Sequence, residues 1–127
     1  MKPRDAALRL KRFEVSEKAR TVVSMESMIG DFERMANDLA RQIAAEEERT
    51  GIKDSGHFAY STFAKAASLR RMNLLNSVAD LRAKLDAAKR EHEEMASELS
   101  KLEPAPSRDG ERHEHDLNGQ RSGMMMG

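Results

Sequence analysis

Apolar residues fall on a seven-residue beat through the first half of the chain. Leu8, Val15, Val22, Ile29, Ala36 and Ile43 recur at that spacing, and Met25, Phe32 and Leu39 sit three positions after their predecessors. This is the a/d stripe of a coiled-coil helix, in which alternating steps of three and four keep one seam facing a partner. The matching places nearer the ends hold Lys11, Lys18 and Glu46, so the seam is strong between about residues 22 and 43 and frays on both sides. The second half repeats the device without a miss in Leu74, Val78, Leu81, Leu85, Ala88, His92, Met95, Leu99 and Leu102. Extended backwards it gives Arg71, Ala67, Ala64 and Tyr60. The alanines allow close helix approach near the start of this second segment, and Arg71 is a polar exception on its seam. A strict seven-residue repeat implies left-handed supercoiling.

The beat stops between the two segments. Arg49-Thr50-Gly51 reads as a helix end, with Gly51 supplying the left-handed residue that closes the last turn. Asp54 or Ser55 suits a short turn, and Ser61 suits the N-cap of the next helix. The pattern therefore predicts an all-α fold: a helix over about 4–50, a turn over about 51–60 and a helix over about 61–103. These pack as a long antiparallel two-helix coiled-coil hairpin, with helices roughly 65 Å long at ~1.5 Å rise per residue. A continuous helix dimerising in parallel is the competing architecture, and Gly51 and Gly56 count against it. After Leu102, Pro104 and Pro106 end the helical pattern, and the polar, Gly-containing residues 104–127 read as a disordered tail.

Composition narrows the function. The chain has 127 residues, 35% charged and 4% aromatic, enough for one domain and too poor in large apolar groups for a sizeable globular core. There is no cysteine, which removes disulfides and thiolate metal sites. No run approaches the ~20 apolar residues of a membrane span, and the basic N-terminus lacks the apolar stretch of a signal peptide. A cytoplasmic location is the expectation. Net charge is zero but blocked: residues 2–20 hold seven cations against three acids, 21–50 three against seven, 51–75 four against one, and 76–103 five against seven. Such alternation suits contact between segments or with a protein partner. Nucleic-acid binding usually wants a strong basic excess.

Candidate chemistry is sparse. His113 and His115 lack a third fixed ligand and match no helical metal spacing. His92 is a seam residue that tunes register, and Glu46, Glu47 and Glu48 point to different sides of a helix with no cleft to serve. No phosphate loop, nucleophile elbow or triad is present, so the expectation is a non-enzyme without cofactor or metal. Met25, Met28 and Met35 form a soft stripe that reads first as core filling. Two surfaces stand out. At the basic N-terminus, Arg9, Lys11 and Arg12 surround Leu10 and Phe13, which lie three apart and off the seam. At the bend, Phe58, Tyr60 and Phe63 suit packing over the helix ends and, with Arg70, Arg71 and Asn73 close behind, a recognition surface for a partner, two roles that do not exclude each other.

Three stretches together resemble a known family. They are the opening with Arg9-Leu10-Lys11-Arg12-Phe13; the turn with Gly51, Ile52, Asp54, His57, Phe58, Ala59, Tyr60 and Ala64-Lys65-Ala66-Ala67; and the element with Arg71, Asn73, Leu74 and Ser77. Over roughly residues 1–102 the chain resembles the alphaproteobacterial branch of the flagellar export protein FliJ family, the turn being the specific part. The tail departs from the charged helical continuation expected of that branch. The resemblance implies a small stalk-like coiled coil of the type III flagellar export apparatus. Its implied partners are the hexameric export ATPase, the membrane export gate protein and export chaperones, at the inner face of the cell membrane. A structural homo-oligomeric coiled-coil scaffold is the alternative from a different class, and a nucleic-acid-binding coiled coil is a third.

Overall fold

Two helices account for nearly all of residues 2–103, the part of the chain that the computed structural model describes. The disordered tail expected over residues 104–127 lies outside the described residues. Helix α1 spans Pro3–Thr50 and helix α2 spans Thr62–Leu102. They pack against each other along their lengths as an antiparallel hairpin, the all-α two-helix arrangement that the periodicity predicts. At ~1.5 Å per residue the 48 residues of α1 and the 41 of α2 make rods of roughly 72 and 62 Å.

The ends of each helix have local causes. Pro3 opens α1 at the first helical position, where its missing N–H removes no intrahelical bond. At the other end Gly51 adopts φ 74°, and its N–H donates to the Glu47 carbonyl at 2.8 Å. That is the left-handed closure glycine provides without steric cost. Ser61 caps α2, its hydroxyl oxygen accepting from the Ala64 N–H at 3.1 Å. Between the helices the chain makes two short turns, His57 N–H to the Asp54 carbonyl and Tyr60 N–H to the His57 carbonyl, each 3.0 Å. The Asp54 carboxylate also accepts from the Gly56 N–H at 2.9 Å.

The core is the predicted seam and little else. Leu8, Ile29, Ala36 and Leu39 of α1 are buried, as are Ala64, Ala67, Val78, Leu85 and Ala88 of α2, with Tyr60 just ahead of it. Ile29, Val78 and Leu85 form the apolar centre, with Val22, Met25, Phe32 and Leu81 packed on it. Each fully buried Leu, Ile or Val of such a seam contributes ~1.5–3 kcal/mol, so the middle third of the rod holds the hairpin together. Towards the turn the seam narrows to alanines, with Ala64 and Ala67 buried on α2 and Ala36 on α1.

Seam positions that break the apolar rule are handled one by one. Lys11 and Lys18 do not fray the open end: their ammonium groups reach Glu98 (2.8 Å) and Glu91 (3.7 Å) on α2 while their stems lie along the seam. The step from Lys11 to Lys18 is one heptad forward, and from Glu98 to Glu91 one heptad back, the signature of antiparallel register. Glu46, the third exception, turns to the chain reversal. Arg71, which stands between Ala67 and Leu74 in the seam sequence, is half-buried and leaves Nε buried without a hydrogen-bond partner among the described residues.

Candidate protein-binding surfaces

A two-helix rod has two ends, two flanks and two outer faces, and each is chemically different here. At the turn end, carboxylates of α1 hold the residues that lead into α2. The Tyr60 hydroxyl donates to Glu47 Oε2 at 2.6 Å and the Ser61 hydroxyl to Glu46 Oε2 at 2.5 Å. Arg49 forks onto both oxygens of Glu46 at 2.8 and 2.9 Å. These donors, Arg49 first and Ser61 second, hold the Glu46 carboxyl down at about 2, well below the usual range, because they bond its charged form. The Tyr60 hydroxyl is pushed up, chiefly by its bond to Glu47. Glu46 and Glu47 are thus a latch for the reversal, a role that helix periodicity alone does not reveal.

The aromatics of the bend separate. Tyr60 is buried over the helix ends. Phe58 is almost wholly exposed at 96%, stacked only on the neighbouring His57 ring at 4.7 Å, and Phe63 is about half exposed. Phe58 and Phe63 are therefore the uncovered apolar groups of the tip.

At the open end the basic block is largely matched within the chain. Arg12 donates from Nη2 and Nε to Glu103 at 2.9 and 3.1 Å, Lys11 pairs with Glu98, and Arg20 pairs with Glu17 at 2.8 Å. The Glu98 carboxyl is lowered and the Lys11 ammonium raised, each first by their mutual hydrogen bond. Of the charge blocks of the sequence, the basic start of α1 is thus matched by the acidic end of α2, whereas the acids of residues 21–50 meet arginines one turn on in α1 itself and, across the rod, Arg82 and Lys89. Arg9 makes no ion pair among the described residues. Leu10 and Phe13 are 59% and 61% exposed. The five-residue candidate surface thus divides into Lys11 and Arg12, which serve the hairpin, and Arg9, Leu10 and Phe13, which face outward. Leu102, also about half exposed, shares a shallow concavity with Leu10.

The flanks differ as sharply. Along one, residues that follow the seam by one position form cross-helix ion pairs: Arg12–Glu103 (2.9 Å), Glu26–Lys89 (3.5 Å) and Glu33–Arg82 (2.5 Å). Along the other, Met28 and Met35 are exposed above seam residues, and shallow depressions open between the helices. Arg70 and Asn73 line the depression nearest the turn together with Met35 and Leu39. Arg71 does not share their surface, since it lies on the seam. One further apolar surface was not singled out by the heptad reading. Leu69, Met72 and Leu75 are exposed on the outer face of α2, and their i, i+3, i+6 spacing off the seam was the available signal.

Among the described residues no group of three His, Asp or Glu side chains is placed to hold a metal ion, and no helix is long and apolar enough to cross a membrane. His113 and His115 lie outside the described residues.

Comparisons with known proteins leave the surfaces to speak for themselves. No family model, no curated protein and no solved structure matches this chain.

Proposed function

We propose that this chain is a non-catalytic stalk and adaptor of the bacterial flagellar type III protein export apparatus, needed for flagellum assembly and motility. In this reading it works at the inner face of the cell membrane at the flagellar base. There it bridges the hexameric export ATPase, the membrane export gate protein and export chaperones. The observation that carries the proposal is the outward-facing Arg9, Leu10 and Phe13 at one end of a stiff antiparallel rod roughly 70 Å long. Apolar side chains ringed by an unspent cation are what a helical or acidic protein surface buries. The likeness of the turn residues Gly51–Ala67 to the FliJ family supplies the identity of the machine. The proposal assigns no catalysis: the depressions between the helices are open to solvent, and general acid–base chemistry is favoured by a water-excluding cleft.

The test is a pull-down of the full chain against purified export ATPase and the cytoplasmic part of the gate. Arg9→Glu combined with Phe13→Ala alters the outward surface and spares Lys11 and Arg12, so the hairpin stays closed. A separate variant, Phe58→Ala with Phe63→Ala, alters the tip. Loss of ATPase or gate capture by either variant, with helicity unchanged, supports the proposal. Undiminished capture by both, or no capture by the unaltered chain, removes it.

The exposed Leu69, Met72 and Leu75 favour one second reading, a homo-oligomeric coiled-coil scaffold in which these faces meet. Mass in solution separates the two: an elongated monomer fits the stalk, and a stable oligomer dissolved by Met72→Glu fits the scaffold.

A further inference from the structure

The open end of the hairpin is built unlike its middle. From Val22 onward the seam is apolar, anchored on Ile29, Val78 and Leu85. Before Val22 it carries two lysines in a row of alternate seam positions, Lys11 and Lys18, whose heads bend out to Glu98 and Glu91 at 2.8 and 3.7 Å. A third pair, Arg12–Glu103, closes the end at 2.9 Å. His92 is the polar seam residue of α2 in the same stretch, and Leu8 is the one residue of α1 buried there. Every glutamate of the three pairs is solvent-accessible, between 39% and 60% exposed. The attraction across this end is therefore open to screening by salt, while apolar contact in the middle is not.

We infer that the open end is an electrostatic clasp that releases as a unit in response to ionic competition, hinging where the apolar seam begins at Val22 and Ala88. Release frees the first five turns of α1 from the end of α2 and uncovers the seam residues Leu8, Val15, Met95 and Leu99, while the middle and the turn stay paired. A polyionic partner surface, offering its own charges to Lys11, Lys18 and Arg12 or to Glu91, Glu98 and Glu103, triggers the same release that salt does. The inference stands on the ion-pair geometry and is independent of the export reading.

The chain has no cysteine, so spin labels can be placed at will. One full-length protein carries Ser16→Cys with Glu94→Cys across the open end, and another Ser27→Cys with Asn76→Cys across the middle. Pulsed dipolar spectroscopy is recorded at about 0.01 M and about 1 M NaCl, where the screening length falls from ~30 to ~3 Å. The expected result is a shift of the open-end distances to longer values at high salt with the middle distances unchanged. In a Lys11→Met, Lys18→Met background the open-end shift is lost, because apolar contact then takes the place of the two seam ion pairs. Open-end distances that ignore salt overturn the inference, as do a shift that persists undiminished in the double variant and a concerted shift of both pairs. Should the double variant fail to fold, the salt response of the two otherwise unaltered proteins decides the matter.

Discussion

The two ends of this hairpin solve one problem with opposite chemistry. At each, an ideal apolar seam gives way to charged residues of α1. At the turn, Glu46 and Glu47 receive hydroxyl donors from Ser61 and Tyr60, residues 15 and 13 positions further along the chain. At the open end, Lys11 and Lys18 receive glutamates 87 and 73 positions away. A short covalent connection makes the first kind of contact recur as soon as it breaks, since closing a loop of about ten residues costs little entropy. The second has no such tether, and exposed ion pairs are worth only ~0–1 kcal/mol each. Polar seam residues are thus a firm closure beside a turn and a releasable one at free ends.

The largest expected effect erases the distinction. Leu85→Ala removes a buried side chain from the apolar centre that separates the two ends, and should destabilise the hairpin by about 2–4 kcal/mol. Urea denaturation followed by circular dichroism checks it; a loss under about 1 kcal/mol would place the anchor elsewhere.

Gly51→Ala should act on the turn end alone. The φ of 74° strains any residue with a Cβ by about 1–2 kcal/mol, although nothing stands in the way of the added atom. Hydrogen exchange should then rise at the amides of residues 57–64 while those around Lys11 keep their protection.

Arg71→Met should move stability the other way. It removes a buried, unpartnered Nε from the seam and keeps an unbranched stem in place, a gain of about 1 kcal/mol. An unchanged or lower melting temperature would show that the Arg71 head is satisfied by water.

Acid should resolve the two ends in sequence, with the smallest change in overall stability. Glu98 and Glu46 both have lowered pKa values in the hairpin. Each therefore contributes stability that is present above the ordinary carboxylate range and is lost as pH falls through its own depressed value. Glu46 sits at about 2 under two hydrogen-bonding partners, Arg49 and Ser61, whereas Glu98 is bonded by Lys11 alone, so the latch is expected to outlast the clasp. On the alkaline side Lys11 is raised, and its contribution is complete below the ordinary lysine value and lost only as pH rises through the raised one. The spin-label pair across the open end should separate at a higher pH than the Tyr60 environment changes in near-ultraviolet dichroism. The reverse order would mean that the turn is the weaker closure.

The sequence by itself determined the helices, their reversal and the face each one buries. Periodicity is a property of a single helix, so Ile29, Val78 and Leu85 announce their burial without knowledge of a partner. Gly51 and Ser61 declare the helix ends through their own backbone and hydroxyl chemistry. What faces what emerges from the fold alone. Lys11 and Lys18 look like flaws in a stripe until the antiparallel register sets Glu98 and Glu91 beside them. Glu46 and Glu47 look like surface charge until the turn returns Ser61 and Tyr60 to their carboxylates. The same register divides Arg9, Leu10 and Phe13, which face outward, from Lys11 and Arg12, which hold the hairpin shut. The physical reason is range: burial and capping act within a few residues, whereas an ion pair or a cross-helix hydrogen bond exists only once the chain has folded back on itself.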